Sequence, residues 1–266
     1  VSALFVRRNN RLSASSRPTV GEVSTLLGVN LLLLFYVGLA MQEWPFVLQI
    51  HVTQWGLILL PTLLLAKYLK VDFRHSFALR APPGWSLAVA LLCGSGLWFI
   101  AMSAIEHLAP GWTPVSNPVL DNVHLELFEL ASSPGGTILL FTGMALAPAI
   151  AEEFLFRGLV LGALRERFQS VHAVVGSALL FGLFHLNIYQ LPTAFAVGII
   201  LAVLTLFSGS VWPAVMLHLL HNGLALGVQL TMPTITETTA FALVLMPLLG
   251  LLLLAVAGAR RGVEWR

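Results

Sequence analysis

Six side chains in three apolar stretches of the chain have the types and spacings that hydrolytic chemistry requires. AEEFLFRG supplies Glu152, Glu153 and Arg157, FGLFH supplies His185, and HLLHN supplies His218 and Asn222. Ionisable side chains are costly to bury in apolar segments, and by default they indicate a functional site. These residues are therefore the candidate site, and the rest of the chain must explain how they are positioned.

The two adjacent carboxylates are expected to have different environments. Glu153 and Arg157 are four residues apart, so they share one face of a helix and can form an ion pair with the glutamate on the favourable amino-terminal side. Glu152 points about 100° away, because successive residues of a helix rotate by that angle. The spacing predicts that Glu153 is neutralised locally and that Glu152 faces another group.

The residue types favour hydrolysis by water. No serine or cysteine stands in a GxSxG or comparable frame, so covalent acyl transfer has no obvious nucleophile. A carboxylate next to a histidine can take a proton from water, which predicts Glu152 and His185 as the activating pair. His218 and Asn222 share a helix face, and both can donate hydrogen bonds to a developing oxyanion.

A zinc site is an alternative interpretation. Glu152, His185 and His218 could supply a His2Glu ligand set with one open coordination position. The chain lacks HExxH, so no zinc ligand is assigned.

The composition places these residues in a membrane. Of 266 residues, 58% are apolar and 10% are charged, whereas a soluble domain carries about 25% charged residues. The same values exclude intrinsic disorder, which requires low hydrophobicity and high charge. A single cysteine, Cys93, excludes a disulfide scaffold, and scattered basic residues argue against nucleic-acid binding. The sequence predicts an all-α, polytopic integral membrane protein.

The apolar runs predict about eight transmembrane helices, because a bilayer core requires about 20 apolar residues per helix. The predicted segments are Val23 to Met41, Val47 to Ala66, Ser86 to Ile105, Thr137 to Arg157, His172 to Asn187, Leu191 to Ser208, Trp212 to Leu230 and Thr239 to Gly258. The fourth is expected to continue as one helix to Phe168. In the connection before it, Val119, Leu120, Val123, Leu127 and Leu130 recur at helical spacing. They indicate a surface amphipathic helix, with an ordinary packed loop as the alternative.

The basic residues predict the orientation. All 14 Lys and Arg residues fall in the amino-terminal tail, the second and fourth connection regions and the carboxyl-terminal tail, whereas the other connections carry acidic residues and no Lys or Arg. Since cytoplasmic connections carry the positive charge, both termini are predicted to be cytoplasmic in a multi-pass protein of the cell (inner) membrane.

The same segments predict the depth of the candidate residues. At 1.5 Å per residue, Glu152 and His185 lie roughly 22 and 20 Å from the inner ends of their helices, which is the same depth. Counted from Trp212, His218 lies roughly 9 Å along its helix, nearer the cytoplasm. The prediction is a cavity, open to the cytoplasm, lined by these side chains.

The three motifs EExxxR, FxxxH and HxxxN, in this order on apolar helices, resemble the CAAX prenyl endopeptidase type II and bacteriocin-processing family of intramembrane glutamate proteases. The resemblance implies Glu152 and His185 as the water-activating pair, His218 and Asn222 as the oxyanion hole, Glu153 and Arg157 in supporting positions, and no metal or other cofactor. It also implies a peptide or protein substrate with a C-terminal or lipidated segment, and ABC-transporter components as further partners.

The predicted organisation is a cytoplasmic tail at 1–22, three transmembrane helices at 23–108, the protease-like core at 109–230, and a last helix with a cytoplasmic tail at 231–266. An alternative from another functional class is a non-catalytic, transporter-associated or bacteriocin-immunity membrane protein.

Overall fold

The computed structural model describes the backbone of residues 17–108, 118–231 and 236–261, and their side chains except at 102, 105–124, 237, 238 and 261. Within these ranges all regular secondary structure is helical. The helices are α1 (Val20–Ala40), α2 (Phe46–Tyr68), α3 (Phe73–Ser76), α4 (Gly84–Gly94), α5 (Leu97–Leu108), α6 (Pro118–Ala131), α7 (Gly136–Arg165), α8 (Ser170–Phe184), α9 (Leu191–Ser208), α10 (Trp212–Thr231) and α11 (Glu237–Arg261). The prediction of an all-α, polytopic membrane protein is confirmed.

Six helices of the described chain are long and apolar enough to cross a bilayer, namely α1, α2, α7, α9, α10 and α11. The fifth predicted segment forms α8, which has only 15 residues. The total of eight transmembrane helices therefore stays a prediction, as does the division into four regions. The tails at 1–16 and 262–266 lie outside the described residues.

The third predicted segment is not one continuous helix, so that expectation is wrong. It divides into α4 and α5 at Ser95 and Gly96. Gly96 packs against the backbone carbonyl of Leu243 in α11, where a β-carbon would overlap it. Pro247 lies four residues after Leu243 and has no N–H, so that carbonyl lacks its usual helical donor. The break thus allows two backbones to approach closely.

The helix α7 is the most buried of the six candidate spans. It is nearly as long as predicted, but it contains two π-helical stretches, Thr142–Leu146 and Phe154–Val160. A third π-helical stretch, Val52–Leu59, lies in α2. Such stretches change which face a side chain occupies and occur frequently at functional sites. The Glu152–Glu153 pair lies directly before one of them.

The connection before α7 contains the helix that the spacing predicts. In α6, the Leu127 side chain is buried with Val47, Leu140 and Leu226, and the Glu126 carboxylate accepts a hydrogen bond of 2.6 Å from the Phe46 N–H. This end of α6 is therefore bound to the protein and does not lie only on the bilayer. The side chains at 119, 120 and 123 lie outside the described residues.

Candidate active site

The ion pair between Glu153 and Arg157 is present at full burial. Arg157 Nη1 donates to Glu153 Oε1 at 3.1 Å, and both side chains are 0% exposed. Arg157 Nη2 donates to the Gly198 carbonyl at 3.0 Å, and the guanidinium lies 4.5 Å from the centre of the Phe181 ring. This charge pair connects α7 with α8 and α9. Loss of either partner alone would leave an uncompensated charge in the protein interior.

Glu153 also binds His218, which brings α10 to the same point. His218 Nδ1 lies 2.9 Å from Glu153 Oε1. An ionised carboxylate only accepts hydrogen bonds, so Nδ1 carries the proton. The Nε2 atom on the opposite side of the ring points towards Glu152, and its distance to Glu152 Oε2 is 4.0 Å. That distance is too long for a direct hydrogen bond.

Glu152 faces away from the ion pair, as its rotation on the helix predicts. Its Oε1 accepts a hydrogen bond of 2.9 Å from Gln54 Nε2, and the Gln54 side chain is buried. Its Oε2 is buried and has no hydrogen-bond partner among the described residues. One carboxylate oxygen is thus held in place, while the other is directed towards the His218 ring and remains available to a small molecule such as water.

Gln54 was not identified from the sequence. The polar residues singled out there are mainly ionisable, and Gln54 is a neutral amide in the predicted segment Val47 to Ala66. An amide within a long apolar segment is itself a usable signal, because its polar atoms need partners.

His185 is positioned at the carboxyl-terminal end of α8. Its Nδ1 lies 2.9 Å from the Phe181 carbonyl, which can only accept, so Nδ1 carries the proton and Nε2 keeps its lone pair in the neutral ring. The Phe181 ring contacts both imidazoles edge-on, at 4.9 Å from His185 and 5.8 Å from His218 between ring centres. His185 therefore lies one aromatic ring away from the carboxylate cluster.

Asn222 lies one turn after His218 on α10 and is partly buried. It makes no hydrogen bond to the other candidate residues in the part of the chain that the structure describes. The structure thus joins Glu153, Arg157 and His218 by hydrogen bonds and brings Glu152 to 4.0 Å from His218, whereas it places Asn222 nearby through the helix alone.

The predicted depth of His218 is wrong, because it contacts Glu153 directly. The predicted depth requires α10 to begin at the level of the inner end of α7. In the structure, the Trp212 ring lies 6.2 Å from the Phe154 ring, so α10 begins beside the middle of α7. A hydrogen bond of 3.1 Å from the Val211 N–H to the Ala78 carbonyl holds that start in place.

The arrangement does not form a metal-ligand group in the described residues. No three His, Cys, Asp or Glu side chains there are grouped as a metal ion requires. Glu153 uses the Nδ1 side of His218, and Gln54 uses one oxygen of Glu152. In the described part of the chain, these contacts leave His218 Nε2 and Glu152 Oε2 free, so a chelator experiment is what distinguishes the zinc alternative from activation of water without a metal.

Comparison with known proteins supports the same interpretation of this region. Residues 134–224 match the family model described as type II CAAX prenyl endopeptidase, Rce1-like. No curated protein and no solved structure matched the chain. The matched residues include all three motifs, and the match supports an intramembrane peptidase. Through this segment, about a third of its length, the chain is similar to the Rce1-like type II CAAX prenyl endopeptidases.

Proposed function

We propose that the chain is an intramembrane endopeptidase that hydrolyses a peptide bond with water activated by Glu152 and His185, with His218 and Asn222 forming the oxyanion hole. The observation that carries this proposal is Glu152 Oε2. It is a buried carboxylate oxygen without a partner among the described residues, and it lies 4.0 Å from an imidazole nitrogen.

The contacts of Glu152 suit a base. The hydrogen bond from Gln54 fixes the carboxylate, so that Oε2 has a defined direction when water binds. His185 adds a second acceptor, because its Nδ1–H is bound to the Phe181 carbonyl and its Nε2 lone pair is left for the water.

The contacts of His218 suit a donor to the oxyanion. With Nδ1 bound to Glu153, Nε2 donates a hydrogen bond when the ring is an imidazolium. The Asn222 amide supplies a second N–H donor on the same face of α10.

The proposed hydrolysis has two steps, attack of water on the peptide carbonyl and loss of the amine. Glu152 takes one proton from water, and the hydroxide oxygen bonds to the peptide carbonyl carbon while the carbonyl oxygen becomes an oxyanion. Collapse of this intermediate breaks the C–N bond, and the proton held by Glu152 passes to the leaving nitrogen. The products are a new carboxyl terminus and a new amine, and the protein returns to its initial state.

The partners and location are also proposals. The proposed substrate is a peptide or protein that the site binds through a C-terminal or lipidated segment. ABC-transporter components are proposed as further partners. The charge distribution supports a multi-pass protein of the cell (inner) membrane with both termini in the cytoplasm. No nucleic acid is involved in this proposal.

A comparison of peptide termini tests the proposed function. Membranes containing the wild-type protein are compared with membranes containing Glu152→Gln, with and without a chelator, by mass spectrometry of newly formed termini. We expect termini that depend on Glu152 and persist in the chelator. Full loss in the chelator with recovery in Zn²⁺ would favour the zinc alternative. Identical termini in both membranes would favour a non-catalytic protein.

A further inference from the structure

A cavity of about 190 Å³ opens at one end of the helical bundle, and basic side chains form much of its wall. Arg17 precedes α1, Arg80 lies between α3 and α4, and Arg165 ends α7, so these residues lie where helices leave the apolar layer. Arg157 and His75 also line the cavity, whereas no Asp or Glu of the described residues does. The cavity is thus a basic site at the edge of the membrane-spanning region.

The positive charge of the cavity exceeds its local compensation. Arg157 is paired with Glu153, and Arg17 lies 3.7 Å from Glu166, whose side chain is 55% exposed. Elsewhere in the described chain, neither Arg80 nor Arg165 has a carboxylate within 4.0 Å. Among the described residues, Arg80 and Arg165 therefore add positive charge to the cavity without a carboxylate at salt-bridge distance.

Two further features indicate that an anion would be stabilised here. The Nε of Arg157 is buried without a hydrogen-bond partner in the described residues, although both of its terminal nitrogens are bound. Burial lowers the pKa of Arg17 from its usual value; Glu166 opposes this effect, and the positive charges of Arg165 and Arg80 add to it. A bound anion would reduce this repulsion and accept hydrogen bonds from the guanidinium groups.

We propose that this cavity binds a phosphate group, supplied either by the headgroup of an anionic phospholipid or by a free phosphate ion. Guanidinium forks match the geometry of phosphate oxygens and bind them in bidentate fashion. The volume is below the roughly 300 Å³ at which ligand pockets usually begin, so it suits a headgroup phosphate with its acyl chains outside. Phosphate binding can be tested independently of the proposed hydrolysis, because it requires no turnover of a peptide.

Arg157 connects the cavity with the candidate active site. The same guanidinium that lines the cavity donates to Glu153, which in turn binds His218. A phosphate near Arg157 would therefore help to hold the side chain that supports Glu153.

Thermal unfolding of the purified, delipidated chain in a non-ionic detergent tests this proposal. The probes are inorganic phosphate, dihexanoyl phosphatidic acid and, as a zwitterionic control, dihexanoyl phosphatidylcholine. We expect the melting temperature to rise with the two anionic probes and not with the control. If phosphatidic acid reaches half-saturation at a concentration about tenfold lower than inorganic phosphate does, a lipid headgroup is the source of the phosphate. If the two anionic probes reach half-saturation at equal concentrations, free phosphate is the source. If the melting temperature rises with neither anionic probe, the proposal is overturned.

Paired variants locate the effect. The double variant Arg80→Gln with Arg165→Gln removes two cavity charges and should weaken binding about tenfold or more. The matched variant Arg74→Gln with Arg167→Gln removes the same charge from exposed residues outside the cavity wall and should behave as the wild type does. All four side chains are exposed, so both proteins are expected to fold. Equal weakening in the two variants would show general charge attraction and would overturn the proposal.

Discussion

Replacement of Glu152 by glutamine is expected to lower kcat by about 10²- to 10⁴-fold, the usual contribution of a general acid–base group. Glutamine keeps the shape of the side chain and can still bind Gln54, but it cannot take a proton from water. KM should change little, because the substituted atom is proposed to act on water. The measurement is steady-state cleavage, by the purified protein, of a peptide identified from the comparison of membrane termini.

The control for this variant is Glu129→Gln on α6. Glu129 is an exposed glutamate outside the carboxylate cluster, so its replacement should leave kcat within about twofold of the wild type. A Glu152→Gln protein with most of the wild-type kcat would contradict the role assigned to Glu152.

Replacement of Arg157 by alanine is expected to cause the largest loss of stability. It removes the partner of the fully buried Glu153, together with the bond to the Gly198 carbonyl and the contact with Phe181. Breaking a buried ion pair from one side typically costs about 3 to 5 kcal/mol. The melting temperature in detergent should therefore fall well below that of the wild type, and Glu153→Gln should lower it as well.

Comparison with two further variants of this chain separates the roles of the adjacent carboxylates. The double variant Glu153→Gln with Arg157→Ala should lose less stability than the two single losses added together, because the residues are in direct contact. Glu152→Gln should keep its stability, since it removes a buried charge and leaves the ion pair intact. An additive double variant, or an unstable Glu152→Gln, would reverse the assignment of the catalytic and structural carboxylates.

Local rules of helical spacing account for what the sequence predicted about the carboxylates. The interval of four residues gives the Glu153–Arg157 ion pair, and the rotation per residue directs Glu152 elsewhere. The long apolar segments likewise give the helical membrane fold, because a bilayer requires the backbone to satisfy its own hydrogen bonds.

Contacts between helices account for what the sequence could not predict. Gln54 reaches Glu152 because a π-helical stretch and the packing of α2 against α7 set its face, and neither follows from an apolar run. The depth of His218 depends on where α10 begins relative to α7, which the contact between Trp212 and Phe154 fixes. Such positions are properties of the assembled bundle.

Single-turnover cleavage in H₂¹⁸O tests most directly whether Glu152 activates water that attacks the peptide. With excess protein and quenching within one turnover, the account predicts ¹⁸O in the new C-terminal carboxylate of the product and none in the Glu152 side chain. It also predicts no peptide attached to the protein in its intact mass spectrum. A label in Glu152, or a covalent peptide–protein species, would show that a protein side chain attacks the substrate and would contradict the account.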